Sequence, residues 1–274
     1  MKEPKVINYF ENEWEFVYPE GVENENVQNE YWNAVELLDY DDASAEKTFK
    51  RLIKKFPYFI DAYNHLSIAF ENQGKKFESY LTAEKSHGIA KSFLPKEFKI
   101  GKDKLTWSHL SNRPFLRSYQ IYGLECQANK NYSKAIELYK SILSFNEGDN
   151  QGARYLYLEC LFLSKKYDEA KNLLESYSED WSIEFLYGKV ALDVLSNNLK
   201  IAEESLSKAN QVNSHLSLEL KKEKFLKPPP FRISGEPFLD VGSPVGTIQE
   251  AYDYWNRNKQ LYRLKKIKEF YLNL

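Results

Sequence analysis

Apolar residues recur every three or four positions along most of the 274-residue chain, which is the spacing of amphipathic helices. From about Glu30, Trp32, Val35, Leu37 and Leu38 mark one arm; Ala45, Phe49, Leu52, Ile53 and Phe56 mark a second. Asp41-Asp42 supplies turn and capping chemistry between them. Pro57 ends the second arm, because the residue before a proline avoids the helical region. A second hairpin starts near Ile60, with Tyr63, Leu66, Ala69 and Phe70 on one face and Gly74 at its end. Its return helix runs to about Ala90 and carries Tyr80 where a small residue is expected at the helix crossing.

Residues 92–113 break the pattern. Pro95, Gly101 and four lysines (Lys96, Lys99, Lys102, Lys104) make this too long for a tight connection, so it is an ordered crossover or a functional loop. Trp107, Leu110 and Phe115 favour ordered packing. Pro114 then sits at a first-turn position, where its missing N–H costs nothing. Two further hairpins follow at about 114–145 and 150–177. Tyr132 to Tyr167 and Ala135 to Ala170 are both 35 residues apart, and a fixed period of that size means stacked supersecondary units. A fifth hairpin fits 181–212, with Gly188, Ala191, Ala202, Leu206 and Ala209 on its inner faces.

Three segments result. Residues 1–29 are acidic and aromatic, and their five aromatics from Tyr9 to Tyr18 predict packing against the body. Residues 30–212 hold the repeats. Residues 213–274 begin with an extended stretch at Lys227-Pro228-Pro229-Pro230. They end in one helix, over about 245–270, opened by the capping-box pattern Thr247 to Glu250. Ala251, Tyr254, Trp255, Leu261 and Leu264 of that helix are expected to cover the open end of the stack.

Composition narrows the function classes. Hydrophobic residues at 42% and charged residues at 28% belong to a globular chain. The net charge of −2 argues against a generally basic nucleic-acid binder, yet the distribution is uneven. Residues 1–45 carry twelve Asp/Glu against two Lys, a balance of −10, which leaves +8 for the rest. Cys126 and Cys160 are the two cysteines; set among apolar neighbours, they read as core residues rather than a disulfide framework. The start, Met1 to Lys5, has no apolar leader stretch, and no run approaches the ~18 apolar residues of a spanning helix. A reducing, cytoplasmic setting without membrane is expected.

At Tyr132, Ala135 and Tyr139, and again at Tyr167, Ala170 and Leu174, the chain resembles the tetratricopeptide repeat family. Gly123, Gly188, Ala45 and Ala202 match its small crossing positions, Phe49 an aromatic one and Pro57 its terminal proline. The resemblance covers roughly 30–212, most closely the third and fourth hairpins. Asn112 to Arg117 and Asp149 to Tyr155 are also similar to segments of uncharacterised prokaryotic proteins with these repeats. The resemblance implies an all-α fold: an α-solenoid of stacked antiparallel hairpins, a superhelix closed by the C-terminal helix. It also implies protein or peptide binding in the concave groove lined by the first helices, without naming the ligand. The carboxylate clamp of chaperone-binding members is missing: its positions hold Asn64 and Ile68, Gln120 and Leu124, and Tyr155 and Glu159.

Groove lining makes Asn64, Arg117, Gln120, Arg154, Tyr155 and Glu159 the candidate contacts, since Arg and Tyr anchor many interfaces. Equally, Arg113, Arg117 and Arg154 can pin neighbouring hairpins through their carbonyls or carboxylates. His65, His87, His109 and His215 have no metal-ligand spacing, and no phosphate-binding loop or nucleophile elbow occurs. No cofactor, metal or catalysis is therefore expected. The reading is a non-catalytic scaffold or adaptor for a protein or peptide partner of unstated identity. The alternatives are a regulator whose acidic N-terminal segment occupies its own groove, and an RNA binder using the basic stretches 96–104 and 257–268; nearby acids argue against the latter.

Overall fold

The structure, a computed structural model, describes residues 3–222, 224–233 and 242–274. Met1 and Lys2 of the N-terminal segment, and Glu223 and residues 234–241 of the C-terminal one, lie outside the described residues. Two compact units are distinguished, residues 1–160 and 161–274.

The first unit opens with a β-hairpin, β1 (Lys5–Phe10) and β2 (Glu13–Val17), in antiparallel register with Val6 opposite Phe16. The packing expected of the N-terminal aromatics is thus made by strands, a departure from all-α. The side chains follow a period of two in space: Val6 and Phe16 face inward and are buried, while Ile7, between Val6 and Asn8, is 44% exposed. Glu11, at φ 47°, turns the chain, and the Asn8 amide donates to the Glu11 carbonyl at 2.9 Å.

Helices α1 (Glu25–Leu37), α2 (Asp42–Lys55), α3 (Ile60–Asn72), α4 (Lys76–Ser92), α5 (Arg113–Ala128) and α6 (Tyr132–Phe145) follow, then α7 (Ala153–Leu163), within which the two units divide. They form consecutive pairs, α1 with α2, α3 with α4 and α5 with α6, and α3 also packs on α5. Each pair has too little apolar surface to stand alone, so stacking buries it. The first core layer gathers Val22, Tyr31, Phe49, Leu52, Phe59 and Leu66.

One turn recurs in four hairpins. Gly74, Lys130, Lys165 and Asn197 all have φ between 59° and 73°. Beside each, the next N–H reaches back five residues: Lys75 to Phe70, Asn131 to Cys126, Lys166 to Leu161 and Asn198 to Asp193, at 2.8–2.9 Å. This left-handed helix ending satisfies carbonyls that the helix leaves open. Only the first uses glycine, so the motif is hidden from a reading that looks for glycines.

Close helix crossings also differ from expectation in one place. The small residue of the second hairpin is Ser79, one position before Tyr80. Ser67 and Ser79 each donate to the other's carbonyl, at 3.0 and 2.9 Å, twelve residues apart as Gly123 and Ala135 are. At Gly123 an added Cβ would lie 2.6 Å from the buried Tyr139 ring. Gly123→Ala is expected to destabilise by about 1–3 kcal/mol through overpacking, read as a lowered denaturation midpoint.

The 93–112 crossover is ordered. Its Lys104 pairs with β2, since the Trp14 N–H donates to the Lys104 carbonyl and the Lys104 N–H to the Asn12 carbonyl, both at 2.8 Å. Asn112, fully buried, accepts from the Phe16 N–H at 2.8 Å and donates to the Trp14 and Thr106 carbonyls at 3.1 Å.

The second unit contains α8 (Tyr167–Ser176), α9 (Ile183–Leu195), α10 (Leu199–Val212), α11 (His215–Leu220), α12 (Ile248–Arg257), α13 (Lys259–Tyr262) and α14 (Lys265–Leu272). The single helix expected over 245–270 is three shorter ones. Asn258 donates its side-chain amide to the Tyr254 carbonyl, ending α12, and Leu264 at ψ 131° breaks the chain again. Thr247 caps α12 as its pattern predicts, through the Glu250 N–H at 3.3 Å. α12 and α14 pack on α9. Tyr254 and Tyr262 share a hydrogen bond of 3.1 Å beside the Tyr187 ring.

Candidate functional site

In residues 1–160 the first helices α3, α5 and the start of α7 bring the six predicted residues to neighbouring positions of consecutive hairpins, but with very different freedom. Asn64 is fully buried. Its amide donates to Asp61 Oδ1 at 3.1 Å and the Pro114 carbonyl at 2.9 Å, while Ser86 donates to its oxygen at 2.6 Å. That leaves it no surface for a ligand; it ties α3 to α5 and α4.

Arg117 lies across Asp61, one hairpin earlier, as a bidentate pair: Nε to Oδ1 at 2.9 Å and Nη2 to Oδ2 at 2.5 Å. The Tyr31 hydroxyl donates to the same Oδ2 at 2.8 Å, and the Asp61 N–H donates to the Tyr18 hydroxyl at 3.0 Å. His65 Nδ1 stands 2.9 Å from both the Tyr31 hydroxyl and the Asp61 carbonyl. Burial works against an Asp61 carboxylate, yet the charges of His65 and Arg117 outweigh it and hold its pKa below the ordinary value. Burial, then Asp61, pushes the Tyr31 phenol far above its usual range, so Tyr31 is a donor and not a phenolate. The pinning role considered for Arg117 is what this geometry builds. Sequence reasoning passed over Asp61, Tyr31 and Tyr18; the signal available was an acid inside the apolar run Phe59-Ile60-Asp61-Ala62.

At the next junction, Gln120 and Gln151 exchange amides: Gln120 Nε2 donates to the Gln151 carbonyl at 3.0 Å and Gln151 Nε2 to Gln120 Oε1 at 2.6 Å. Buried Asp149 caps α7, accepting from the N–H groups of Ala153 and Arg154 at 2.7 and 3.1 Å, and pairs with Arg154 Nη1 at 2.8 Å. The Arg154 guanidinium also lies 4.2 Å from the Tyr155 ring centroid and donates to the Tyr155 hydroxyl. Glu159 is 9% exposed. Gln120, Arg154 and Tyr155 keep partial exposure. Leu124, one turn after Gln120 on α5, is 43% exposed.

Residues 127–180 match the family described as tetratricopeptide repeat. Over that span the chain is similar to the tetratricopeptide repeat family. That span holds the left-handed turns at Lys130 and Lys165, 35 residues apart. No curated protein matches the chain. The repeat pattern accounts for the burial of Ala135 and Ala170 at helix crossings and leaves the outward positions of the first helices to vary.

Among the described residues no group of three His, Cys, Asp or Glu comes together as a metal site, and no helix is long and apolar enough to cross a membrane. Cys126 and Cys160 are buried and not joined in a disulfide, with burial raising the first thiol to about 11. His87 is wedged against Tyr119 and Tyr122, with ring centroids 4.3 and 5.2 Å away. Burial, helped by Lys134 and Lys91, lowers its pKa from 6.5 to about 4. The unfolded chain therefore binds this proton first, and stability falls as pH drops below 6.5 and levels off below the folded value. A loss of roughly 2–3 kcal/mol between pH 7 and 4.5 is expected from this group. Denaturant titrations of the wild type and His87→Gln should show the pH slope reduced in the variant.

Proposed function

We propose that the chain is a non-catalytic scaffold that takes a protein or peptide partner on the first-helix face of residues 1–160, in a reducing cytoplasmic setting. The observation that supports this most is Leu124, an exposed apolar side chain one helical turn from the partly exposed Gln120, with Tyr155 also partly exposed on the next first helix. An apolar centre with polar and aromatic neighbours is how peptide-binding surfaces are made. The repeats themselves supply a rigid frame, since Asn64, Arg117 and the Gln120–Gln151 pair lock successive hairpins. Contacts therefore fall on Leu124, Tyr155 and the open edges of Gln120 and Arg154.

The test is affinity purification with the wild type and with Leu124→Glu plus Tyr155→Ala, both checked for equal thermal midpoints. Partners recovered at least tenfold less by the variant support this face. Equal recovery of every partner sinks it.

A second reading makes the N-terminal segment a regulator, and one contact favours it: Tyr18 accepts the Asp61 N–H beside Arg117. Under that reading, Tyr18→Phe raises partner affinity at unchanged fold; no change in affinity dismisses it.

A further inference from the structure

Residues 161–274 contain a cavity of about 480 Å³ between the end of α11, the strand-like segment after it and α12–α14. Its lining residues are of two kinds. One is apolar, with the Phe225 and Trp255 rings 5.3 Å apart and Leu226 at 75% exposure. The other is cationic: Lys224, Lys259, Arg263 and Lys268 all line it. Lys222 lines it as well, but is neutralised by Glu219 at 2.5 Å. For the other four no carboxylate partner exists among the described residues. Lys259 rests instead over the Trp255 ring, 4.9 Å from its centroid. Glu223, the remaining acid in the 219–228 sequence, lies outside the described residues.

Some cations elsewhere sit against carboxylates, while others among the described residues, such as Lys54, Lys85 and Lys96, stand on the surface without one and do not line this cavity. Arg117 has Asp61, Arg154 has Asp149, Lys104 has Glu147 and Arg257 has Glu184. Four unmatched cations around one hollow repel one another, an arrangement that a compact multiple anion relieves. The volume is that of a small-molecule site. Arg263 offers the planar fork that fits phosphate oxygens in pairs, and the lysines offer point charges. The apolar lining of Trp255, Phe225 and Leu226 suits a flat, weakly polar group attached to that anion.

We infer that this cavity binds a nucleoside polyphosphate, with its phosphates on Lys224, Arg263 and Lys268 and its base against Trp255 and Leu226. The site is independent of the partner-binding face proposed above and stands or falls separately from it.

Calorimetric titration of the full chain tests it, with ATP, GTP, inorganic triphosphate, adenosine, a uridine 20-mer and a glutamate-rich peptide as separate probes. Expected are saturable one-to-one binding of the nucleoside triphosphates, weaker binding of triphosphate alone and none of adenosine. Arg263→Gln plus Lys268→Gln should weaken nucleotide binding at least tenfold with an unchanged thermal midpoint. As a second arm, Trp255→Leu should weaken nucleotide more than inorganic triphosphate. Absence of saturable nucleotide binding, or equal affinity in the Arg263/Lys268 variant, overturns the assignment. Binding of the 20-mer or the acidic peptide in the absence of any mononucleotide binding overturns it too, because the cations then serve a polymer surface.

Discussion

Arg117→Ala should cost about 3–5 kcal/mol of stability, the largest single loss expected from any side chain of the candidate face. The reason is what remains behind. Asp61 is 3% exposed, and without the guanidinium its charge keeps only the Tyr31 and Asn64 donors and a histidine. Removing one member of a buried pair leaves a charge uncompensated, which is dearer than the pair's own net worth. Arg117→Ala with Asp61→Asn should therefore recover much of the loss, and Arg117→Lys only part of it, because a point charge cannot span both carboxylate oxygens. Denaturant unfolding of the wild type, Arg117→Ala, Asp61→Asn and the double variant checks this as a double-mutant cycle, with Arg117→Lys measured alongside. Losses that simply add would mean that the bidentate geometry carries no coupling. It also follows that lost partner binding in Arg117→Ala is uninterpretable without a stability measurement.

Asn112→Ala comes next, at about 3–5 kcal/mol. The Thr106 carbonyl keeps a 3.3 Å bond from the His109 N–H, but two backbone groups depend on this amide, the Phe16 N–H and the Trp14 carbonyl. Each, buried without a partner, costs about 1–3 kcal/mol. The loss should be local as well as large. Hydrogen exchange should accelerate first in β1, β2 and residues 104–112, while α1 to α3 keep their protection. Uniform acceleration across residues 1–160 would show that the hairpin and the crossover are not a separable layer.

Much of the fold was legible because helical repeats announce themselves locally. The 35-residue spacing of Tyr132 and Tyr167 reports packing inside single hairpins, and α5 to α8 fall where that spacing puts them. Three things were not legible, each because a distant contact decides it. Strands β1 and β2 occupy a sequence that alternates only weakly, and their pairing is fixed by Asn112 and Lys104, about a hundred residues on. The crossing residue of the second hairpin is Ser79 and not Tyr80, since hydrogen bonding between two serines permits the approach that alanine gives elsewhere. The final helix is divided at Asn258 by one side-chain amide. At the candidate site, residue type singled out positions on consecutive first helices but did not foretell the contacts each side chain makes. Arg117 and Asn64 look outward-facing by position, yet Asp61, unremarked in the sequence, draws both inward.

The docking of β2 against Asn112 carries a consequence for how the chain is made. The Phe16 N–H and its acceptor are 96 residues apart. At ribosomal rates of about 5–20 residues per second, the strands wait roughly 5–20 s for their anchor to be synthesised. During that interval Trp14, Phe16 and Tyr18 are exposed on a tethered, acidic segment whose charges keep it from self-association. Glu11, Glu20, Glu23 and Glu25 remain exposed once the hairpin has docked, so the same like charges surround the segment before and after its anchor arrives.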